Sequence, residues 1–447
     1  MSAENGAPSG APHSGLSRFI QRLVAVEPHE LTALLAAFAT LFFMFACYTM
    51  MRPIRETMGI ASGVENLPYL FWGTFVAMLA MQPVYGWLTS RFPRTTFLPW
   101  VYVFFTANIV AFWIWFNLQS DHTWIARAYF IWVSVFTLFI VAVFWSLMAD
   151  VFTREQAGRM FGFVAAGAST GGLVGPFLAG RLAVPLGTIN LLLISAVLLA
   201  VSLFFMQIII RWHRNFGTGT RRGESERALG GSSMAAFRQV VGSPYLLGIA
   251  LFVFLLTWAS TFMYLEQQKL VAQAFASRDE RTQFFSNVDF WVQAFSLLTQ
   301  MLIFGRLFKR VGFTVMIVSV PVLMTFGYAV YALVPTFVVA VGVMIVRRVG
   351  EYSIARPCRD TLYTVVSREE KYKAKSLIDT FVYRGGDATS ASVHKVLTEG
   401  LGLAGVGIGW FGAAVCAVWA VISLTLGRAQ ETRREPAISA AAESRGA

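Results

Sequence analysis

Two stretches of the chain repeat one arrangement of residues that bind anions and interrupt helices. Residues 48–58 read Tyr-Thr-Met-Met-Arg-Pro-Ile-Arg-Glu-Thr-Met, and residues 352–362 read Tyr-Ser-Ile-Ala-Arg-Pro-Cys-Arg-Asp-Thr-Leu. Tyrosine, hydroxyl, Arg-Pro, arginine, acid and threonine therefore recur at identical spacing. Because arginine binds a phosphate or carboxylate through two parallel hydrogen bonds, each of these two charged turns carries the chemistry of an anion site.

Further charges precede the second charged turn, directly after the apolar residues 337–346. A charge at the centre of a bilayer costs about 2.5–3.5 kcal/mol on insertion scales, so these side chains must face protein or water. We expect the deepest of them to be the best candidates to line a cavity: Arg347, Arg348 and Glu351. Charges four residues apart on a helix compensate one another, which predicts three ion pairs: Arg347 with Glu351, Arg356 with Asp360, and Arg52 with Glu56.

Pro53 and Pro357 predict a kink in each charged turn, because each proline removes one backbone donor and frees the carbonyl four residues earlier. Those carbonyls belong to Thr49 and Ser353, and inside a membrane they can be satisfied only beside a cavity. The two helices run in opposite directions through the membrane. We therefore expect the charged turns near opposite membrane faces, as an outer and an inner station of one path.

Long apolar segments must carry these turns. Of the 447 residues, 56% are hydrophobic and only 13% are charged, whereas a soluble globular protein carries about 25% charged residues. The segments that reach the roughly 20 residues needed to cross a membrane lie near residues 31–51, 67–89, 97–117, 125–149, 161–182, 188–210, 245–265, 285–305, 313–333, 337–357, 376–397 and 404–427. The sequence thus predicts an all-α polytopic membrane protein with about twelve transmembrane helices in two six-helix bundles.

The net charge of +12 arises largely from basic residues in alternate loops. Lysine and arginine mark the cytoplasmic side of a membrane protein, and their placement predicts an inner-membrane protein with both termini cytoplasmic. We expect a monomer that contacts lipids and has no nucleic-acid partner. The predicted parts are a cytoplasmic N-terminal segment at 1–30, an N-terminal bundle at 31–212, a flexible cytoplasmic linker at 213–243, a C-terminal bundle at 244–428 and a cytoplasmic tail at 429–447.

Internal repeats support the division into two halves. Segments 86–92 and 305–311 share Gly, Leu and Arg at the same places, and the turns at 153–156 and 367–370 match position for position. These loops resemble, in degenerate form, the loops of the major facilitator superfamily.

A second resemblance to that superfamily lies in the fifth span. Gly171, Gly175 and Pro176 resemble its Gly-Pro motif, which is frequent in antiporters, while Gly167 extends a smooth face that lets another helix approach closely. The resemblance implies a major-facilitator-like fold, and helix packing alone also explains the glycines.

The second charged turn and the residues after it resemble a narrower family. The run 356–363, the acid, spaced lysines and Ile-Asp pair of residues 370–379, and the Arg-Gly-Gly at 384–386 are similar to the ATP:ADP antiporters of plastids and obligate intracellular bacteria. That family has lysine in both turns, where this chain has Arg55 and Arg359. The resemblance implies exchange of nucleotides, and arginine keeps the positive charge while changing its geometry.

These observations assign the charged residues to two roles. We expect the following to bind an anionic substrate: Arg52, Arg55, Arg347, Arg348, Arg356 and Arg359. We expect the following to orient those arginines and to gate the path by changing partners: Glu56, Glu351, Asp360, Lys375, Asp379, Arg384 and Asp387. Asp379 and Asp387 also suit a coupling proton, and the charges in this eleventh span leave open whether it crosses the membrane.

Other polar residues are assigned to loops or gates. Glu266 and Lys269 close the seventh span, Asp289 and residues 278–281 form a mixed-charge outer segment, and His394 is the one histidine placed to titrate in a path. The three cysteines have no metal-ligand or pairing spacing, and no phosphate-binding Gly-x-x-x-x-Gly-Lys-Ser/Thr loop occurs. We therefore expect no cofactor, no metal and no enzymatic activity.

The sequence favours a secondary active transporter of an anionic, phosphorylated solute such as ATP or ADP, working by alternating access. One alternative is a proton-coupled major-facilitator exporter of drugs or metabolites, with protons as the coupling ion. Another is a membrane sensor or assembly factor that transports nothing.

Overall fold

The computed structural model describes residues 26–216 and 233–446. Its first half contains six long helices. They are α1 Leu31–Ala61, α2 Leu67–Arg91, α3 Arg94–Leu118, α4 Thr123–Val151, α5 Arg154–Leu186 and α6 Leu191–Phe216. Local sequence sets their ends: Gly63 takes a φ of 92° in the turn after α1, and Thr153 caps α5 in a reciprocal capping box with Gln156.

The second half contains six further helical spans, several of them interrupted by π-helical turns. They are α7 Pro244–Ala274, α8 Arg278–Leu298, α9 Gly305–Leu333, α10 at residues 337–362, α11 at residues 368–400 and α12 Gly405–Gly446. π-helical turns occupy Thr299–Phe304 between α8 and α9, Glu351–Ala355 within α10, and Ile378–Val382 and Val396–Gly400 within α11. Such turns often mark functional sites in helices.

The predicted segments outside the bundles are only partly described. Residues 1–25, 217–232 and 447 lie outside the described residues, and they include most of the predicted N-terminal segment and half of the predicted linker. The end of that linker is a helix, Ser233–Gly242. In the predicted tail, α12 continues as a helix through Gly446.

Within the described ranges, nine helical stretches are long and apolar enough to cross a membrane, and one of them joins α8 and α9. The helices α10 and α11 are absent from this set because charged residues interrupt them. The 33 residues of α11 nevertheless span about 50 Å at 1.5 Å per residue, which is enough to cross. Twelve spans result, as predicted.

Each half of the chain packs around its own apolar core. One core runs from Val26 to Trp212 and the other from Val240 to Leu426. The halves meet where α5 packs on α8 and where α2 packs on α11. Because helix direction alternates, α1 begins on the same membrane face as the helix Ser233–Gly242. We call this the linker face and the other the opposite face.

The glycines of α5 allow α1 to approach closely. A Cβ atom at Gly167 would lie 2.5 Å from the Phe38 carbonyl oxygen, and Cβ atoms at Gly171 and Gly175 would also collide with the α1 backbone. Side chains at these positions would therefore push the helices apart. The predicted smooth face is present, and packing accounts for the glycines of the Gly-Pro motif.

Candidate functional site

A cavity of about 510 Å³ lies between the two bundles. Its wall includes three arginines, Arg52, Arg55 and Arg384, together with Tyr48 and Tyr352. Met78 of α2 also lines it, and residues of α4 complete it on the side toward the linker face: Val133, Ser134, Thr137, Leu138, Val141, Ala142 and Trp145. No carboxylate belongs to the described wall, so its charged side chains are all cationic.

Tyr352 brings together arginines from both charged turns. Arg52 donates a hydrogen bond to the Tyr352 hydroxyl at 3.2 Å. The guanidinium groups of Arg348 and Arg356 lie 5.9 and 5.2 Å from the centre of the Tyr352 ring. The expectation of two separate stations is therefore wrong for Arg52 and Arg356, because both reach the same tyrosine.

Asp289 links arginines of the two bundles. Its carboxylate pairs with Arg348 at 2.5 Å and lies 3.8 Å from Nε of Arg52. The carboxylate is buried, and its Oδ2 accepts no hydrogen bond among the described residues. Removing either arginine would leave a buried negative charge without full compensation.

The sequence assignment of Asp289 to an outer segment is wrong. Residues 278–281 form the first turn of α8, which Ser277 and Glu280 cap reciprocally, and Asp289 lies well inside that helix. The signal was present in the sequence, since Ser-x-x-Glu before an apolar run is a capping box. In the sequence, Tyr352 stands out only as part of the repeated pattern. In the structure its hydroxyl and ring contact Arg52, Arg348 and Arg356.

Arg347 and Glu351 form a buried pair within α10. Their side chains meet at 2.7 Å, as the four-residue spacing predicts. Arg347 also donates to the Ser260 hydroxyl of α7 at 2.5 Å, and Tyr383 of α11 donates to Glu351 at 3.4 Å. Arg347 and Glu351 therefore both bind partners within the C-terminal bundle. The expectation that Arg347, Arg348 and Glu351 are the foremost cavity residues is corrected, because none of them is in the cavity wall.

Glu56 in the first charged turn is held from both bundles. Arg55 donates to it at 2.9 Å, while Tyr264 and Gln268 of α7 donate to its other oxygen at 2.6 and 3.0 Å. The predicted pair of Arg52 with Glu56 is thus replaced by Arg55 with Glu56. Arg55 also lies over the Phe130 ring, 3.9 Å from its centre, which fixes the direction of its guanidinium.

Arg359 and Asp360 of the second charged turn find their partners within their own bundle. Asp360 pairs with Lys375 at 2.7 Å and Arg359 with Asp379 at 3.5 Å. The predicted pair of Arg356 with Asp360 is wrong, and within the described chain no carboxylate lies within 4.0 Å of Arg356. A π-helical turn ends directly before Arg356, so the expected irregularity at Pro357 is present.

The first charged turn shows no such break, because α1 stays helical through Pro53. The kink predicted there from the sequence is not matched by an interruption of the helix.

Two polar groups of α11 complete the surroundings of the cavity. Arg384 in the wall pairs with Asp387 at 3.4 Å, and Thr261 of α7 donates to the same carboxylate at 3.2 Å. Asp387 therefore orients Arg384 in this conformation. Among the residues the structure describes, no cluster of three or more His, Cys, Asp or Glu side chains could hold a metal ion.

The charges around Tyr352 do not balance. Among the side chains that the structure describes, five arginines meet three acids here: Arg52, Arg55, Arg347, Arg348 and Arg356 against Glu56, Asp289 and Glu351. Away from bulk water such a surplus is a strong attraction for an anion. The arrangement suits a ligand with at least two negative charges.

Comparison with known proteins gives one family and a set of related folds. Residues 33–386 match the family model of the Major Facilitator Superfamily. ADP,ATP carrier protein 2 of Chlamydia pneumoniae is 20% identical over an alignment 466 residues long. The alignment covers 85% of this chain and 85% of that protein. The resemblance first seen in the charged turns thus extends over most of both chains.

Two solved structures show the same fold. A bacterial homologue of the iron transporter ferroportin, in an inward-facing state, has a TM-score of 0.65 at 14% identity and covers 89% of this chain and 98% of its own. The nucleoside transporter NupG has a TM-score of 0.57 at 15% identity, with 91% and 99% covered. The predicted all-α fold of two six-helix bundles is confirmed, and the matched proteins are transporters rather than enzymes, as predicted.

Proposed function

The chain belongs to the major facilitator superfamily, and on that premise we propose that it is a secondary active transporter that exchanges an anionic, phosphorylated solute by alternating access. The substrates we favour are nucleotides such as ATP and ADP. The observation that carries the proposal is the cavity wall, which presents Arg52, Arg55 and Arg384 and no described carboxylate. A cavity of about 510 Å³ falls in the usual range of small-molecule sites.

The chemistry of the wall suits phosphate groups in particular. Arginine presents a planar fork of donors that matches phosphate oxygens. Tyr48, Tyr352 and Trp145 add aromatic faces on which a nucleobase can stack. A neutral solute would leave the surplus of arginine over acid around Tyr352 uncompensated, so it fits less well.

The contacts between the bundles support alternating access. Thr57 meets Thr282 at 2.8 Å, and Trp72 donates to Ser392 at 2.9 Å, both near the opposite face. The cavity lies on the linker side of these contacts, where α4 forms its wall. The structure therefore corresponds to the state that is closed at the opposite face.

The named relative supports nucleotides over other anions. The aligned protein is an ADP,ATP carrier, and we carry that substrate class to this chain as a proposal. We further propose an inner-membrane location with both termini cytoplasmic, so that the cavity opens to the cytoplasm. A monomer with no nucleic-acid partner remains our expectation.

Transport by purified protein in vesicles tests the proposal. Vesicles preloaded with ADP should take up labelled ATP well above protein-free vesicles, and uptake should depend on internal ADP. Arg52→Gln should lower uptake about 10- to 100-fold, because a hydrogen bond to a charged group contributes about 1.5–3 kcal/mol. Arg310→Gln, the same change at an exposed position outside the cavity, should leave uptake unchanged.

A thermal-stability screen identifies the substrate if ATP and ADP fail. A ligand that binds only the folded protein raises its melting temperature, so nucleotides, sugar phosphates and organic acids are compared at matched ionic strength. Stabilisation by another phosphorylated solute would replace nucleotides within the proposal. If no anion stabilises the protein and none is transported, the proposal is wrong.

A further inference from the structure

A second group of buried titratable residues lies in the C-terminal bundle, apart from the cavity wall. Nε2 of His394 on α11 is 2.9 Å from Oε1 of Glu266 on α7. Tyr331 of α9 donates to the other oxygen of Glu266 at 2.7 Å. Lys269 lies 3.5 Å from the same carboxylate. Three helices therefore converge on one ionisable group.

The surroundings contain little else that can compensate a charge. Glu266, His394 and Tyr331 are buried, and Phe262 packs edge-on against the His394 ring at 5.2 Å. The first residue of α12, Gly405, lies next to the Tyr331 hydroxyl, which would be 3.1 Å from a Cβ atom at that position. Among the described residues, the charged and titratable groups that face His394 from the helices packed against it are thus Glu266 and Lys269 of α7 and Tyr331 of α9.

The neighbouring residues of α7 hold the gate between the bundles. Tyr264 and Gln268 donate to Glu56 of α1, and Glu266 lies between them in sequence on the other side of the helix. One turn of α7 therefore contacts the N-terminal bundle on one side and the histidine cluster on the other. A shift of this turn would change both sets of contacts together.

We infer that Glu266, His394 and Tyr331 form a proton-binding site that controls the closure of the opposite face. With Glu266 ionised and Lys269 charged, the cluster is balanced while His394 is neutral. A further proton on the histidine places a second positive charge beside a single carboxylate in a buried place, which is unfavourable. Opening of the opposite face admits water to the ends of α7 and α11, so the open state binds that proton more tightly.

This difference in affinity sets the direction of the effect. A ligand shifts an equilibrium toward the state that binds it better, so a fall in pH favours opening of the opposite face. By linkage, opening must take up protons from solution. The site goes beyond the proposed substrate site, since its ligand is the proton and its residues lie outside the arginine cavity.

The test measures the distance between the bundles at the opposite face as pH changes, without any substrate. The native cysteines are buried, so spin labels can be placed by Glu65→Cys and Gln273→Cys, two exposed positions on this face. Protein in lipid nanodiscs is compared across about pH 5 to 8, the interval in which histidine changes charge. The population with the longer distance should grow as pH falls, and His394→Gln should abolish that growth.

Three further variants separate this site from other causes. Glu266→Gln should at least halve the pH response, whereas Glu399→Gln, the same change at an exposed position of α11, should keep it. His122 is a competing source because it contacts Arg278 across the bundle interface, so His122→Gln should also keep the response. A response that is absent in the wild type, that survives in both His394→Gln and Glu266→Gln, or that disappears in His122→Gln overturns the inference.

The outcome is independent of the substrate. ATP uptake without a pH-dependent distance would leave the transport proposal standing and refute the proton site. A pH-dependent distance that requires His394, in a protein that transports no nucleotide, would support the proton site and refute the nucleotide substrate.

Discussion

The two charged turns share one sequence pattern and have different surroundings. In α1, Glu56 of the first turn is bound by Tyr264 and Gln268 of the other bundle. In α10, the equivalent Asp360 is bound by Lys375 of its own bundle. The difference is also one of exposure, since the Asp360 side chain is 49% exposed and that of Glu56 only 10%.

The same pattern thus occurs in two arrangements: its acid is bound by the other bundle in the first turn and by its own bundle in the second. The bundles touch near the opposite face, where the first turn lies, and the cavity lies on the linker side of those contacts. We propose that the first turn acts as a closed gate in this state and the second as an open one. In the alternate state we expect the second turn to exchange Lys375 for a partner in the N-terminal bundle, because the two turns carry the same donors and acceptors.

The largest expected effect comes from removing the acid of the closed gate. Glu56→Ala leaves Arg55 without its partner and breaks both hydrogen bonds to α7, and breaking a buried pair in this way costs about 3–5 kcal/mol. Asp360→Ala removes an exposed pair worth about 0–1 kcal/mol. Thermal unfolding in detergent should therefore show a large loss of stability for Glu56→Ala and little for Asp360→Ala.

Glu399→Ala is the control, since it removes an acid that is exposed and pairs within one helix. It should behave like Asp360→Ala. Equal losses for Glu56→Ala and Asp360→Ala would show that the two turns have similar surroundings in solution, and the comparison would fail.

A smaller effect is expected when each turn receives a lysine in place of its second arginine. Arg55→Lys loses the contact with the Phe130 ring and the hydrogen bond from Nε to the Phe130 carbonyl, both of which depend on the guanidinium. Arg359→Lys can keep its pair with Asp379. ATP uptake should fall about tenfold for Arg55→Lys, a change of about 1.4 kcal/mol, and within about threefold for Arg359→Lys.

The measurement is initial uptake at saturating internal ADP, with the amount of protein in the vesicles held equal. A larger loss for Arg359→Lys than for Arg55→Lys would place the substrate nearer the second turn, contrary to the cavity in this structure.

Sequence patterns predicted the fold because transmembrane helices are specified locally. Twenty apolar residues in a row define a span whatever surrounds them, and the capping box at Thr153 defines where one begins. The pair of Arg347 with Glu351 was also predictable, because four-residue spacing on one helix fixes the distance between two side chains.

The remaining site contacts join residues far apart in the chain. Asp289 lies between Arg52 and Arg348 only because α8 packs beside α1 and α10. Spacing along one helix predicted Arg52 with Glu56 and Arg356 with Asp360. Instead Arg52 lies beside Asp289 of α8 and Asp360 pairs with Lys375 of α11, while Glu56 pairs with its neighbour Arg55. Ion-pair rules for a single helix are correct only where no better partner arrives from another helix.

The smallest expected effect lies at the beginnings of α1 and α10, the helices that carry the two charged turns. Glu30 precedes α1 and accepts hydrogen bonds from Gln156 at 2.7 Å and from Arg159 at 3.3 Å, whereas α10 begins after Thr336 without a side-chain cap. Burial opposes the charge on Glu30, but the hydrogen bonds from Gln156 and Glu27 and the charge of Arg159 outweigh it and lower the Glu30 pKa below its ordinary value of 4.5.

A carboxyl with a lowered pKa stabilises the folded state fully above its ordinary pKa, and this contribution is lost as pH falls through the lowered value. Glu30→Gln should therefore cost about 1 kcal/mol at neutral pH, the typical net contribution of a hydrogen bond. The difference in melting temperature from the wild type should shrink as pH falls below 4.5. Thr336→Ala at the start of α10 should change stability little, and by the same amount at neutral pH and below pH 4.5. A difference for Glu30→Gln that grows with acidity would show that Glu30 is bound in its protonated form, and that α1 has no charged anchor at the linker face.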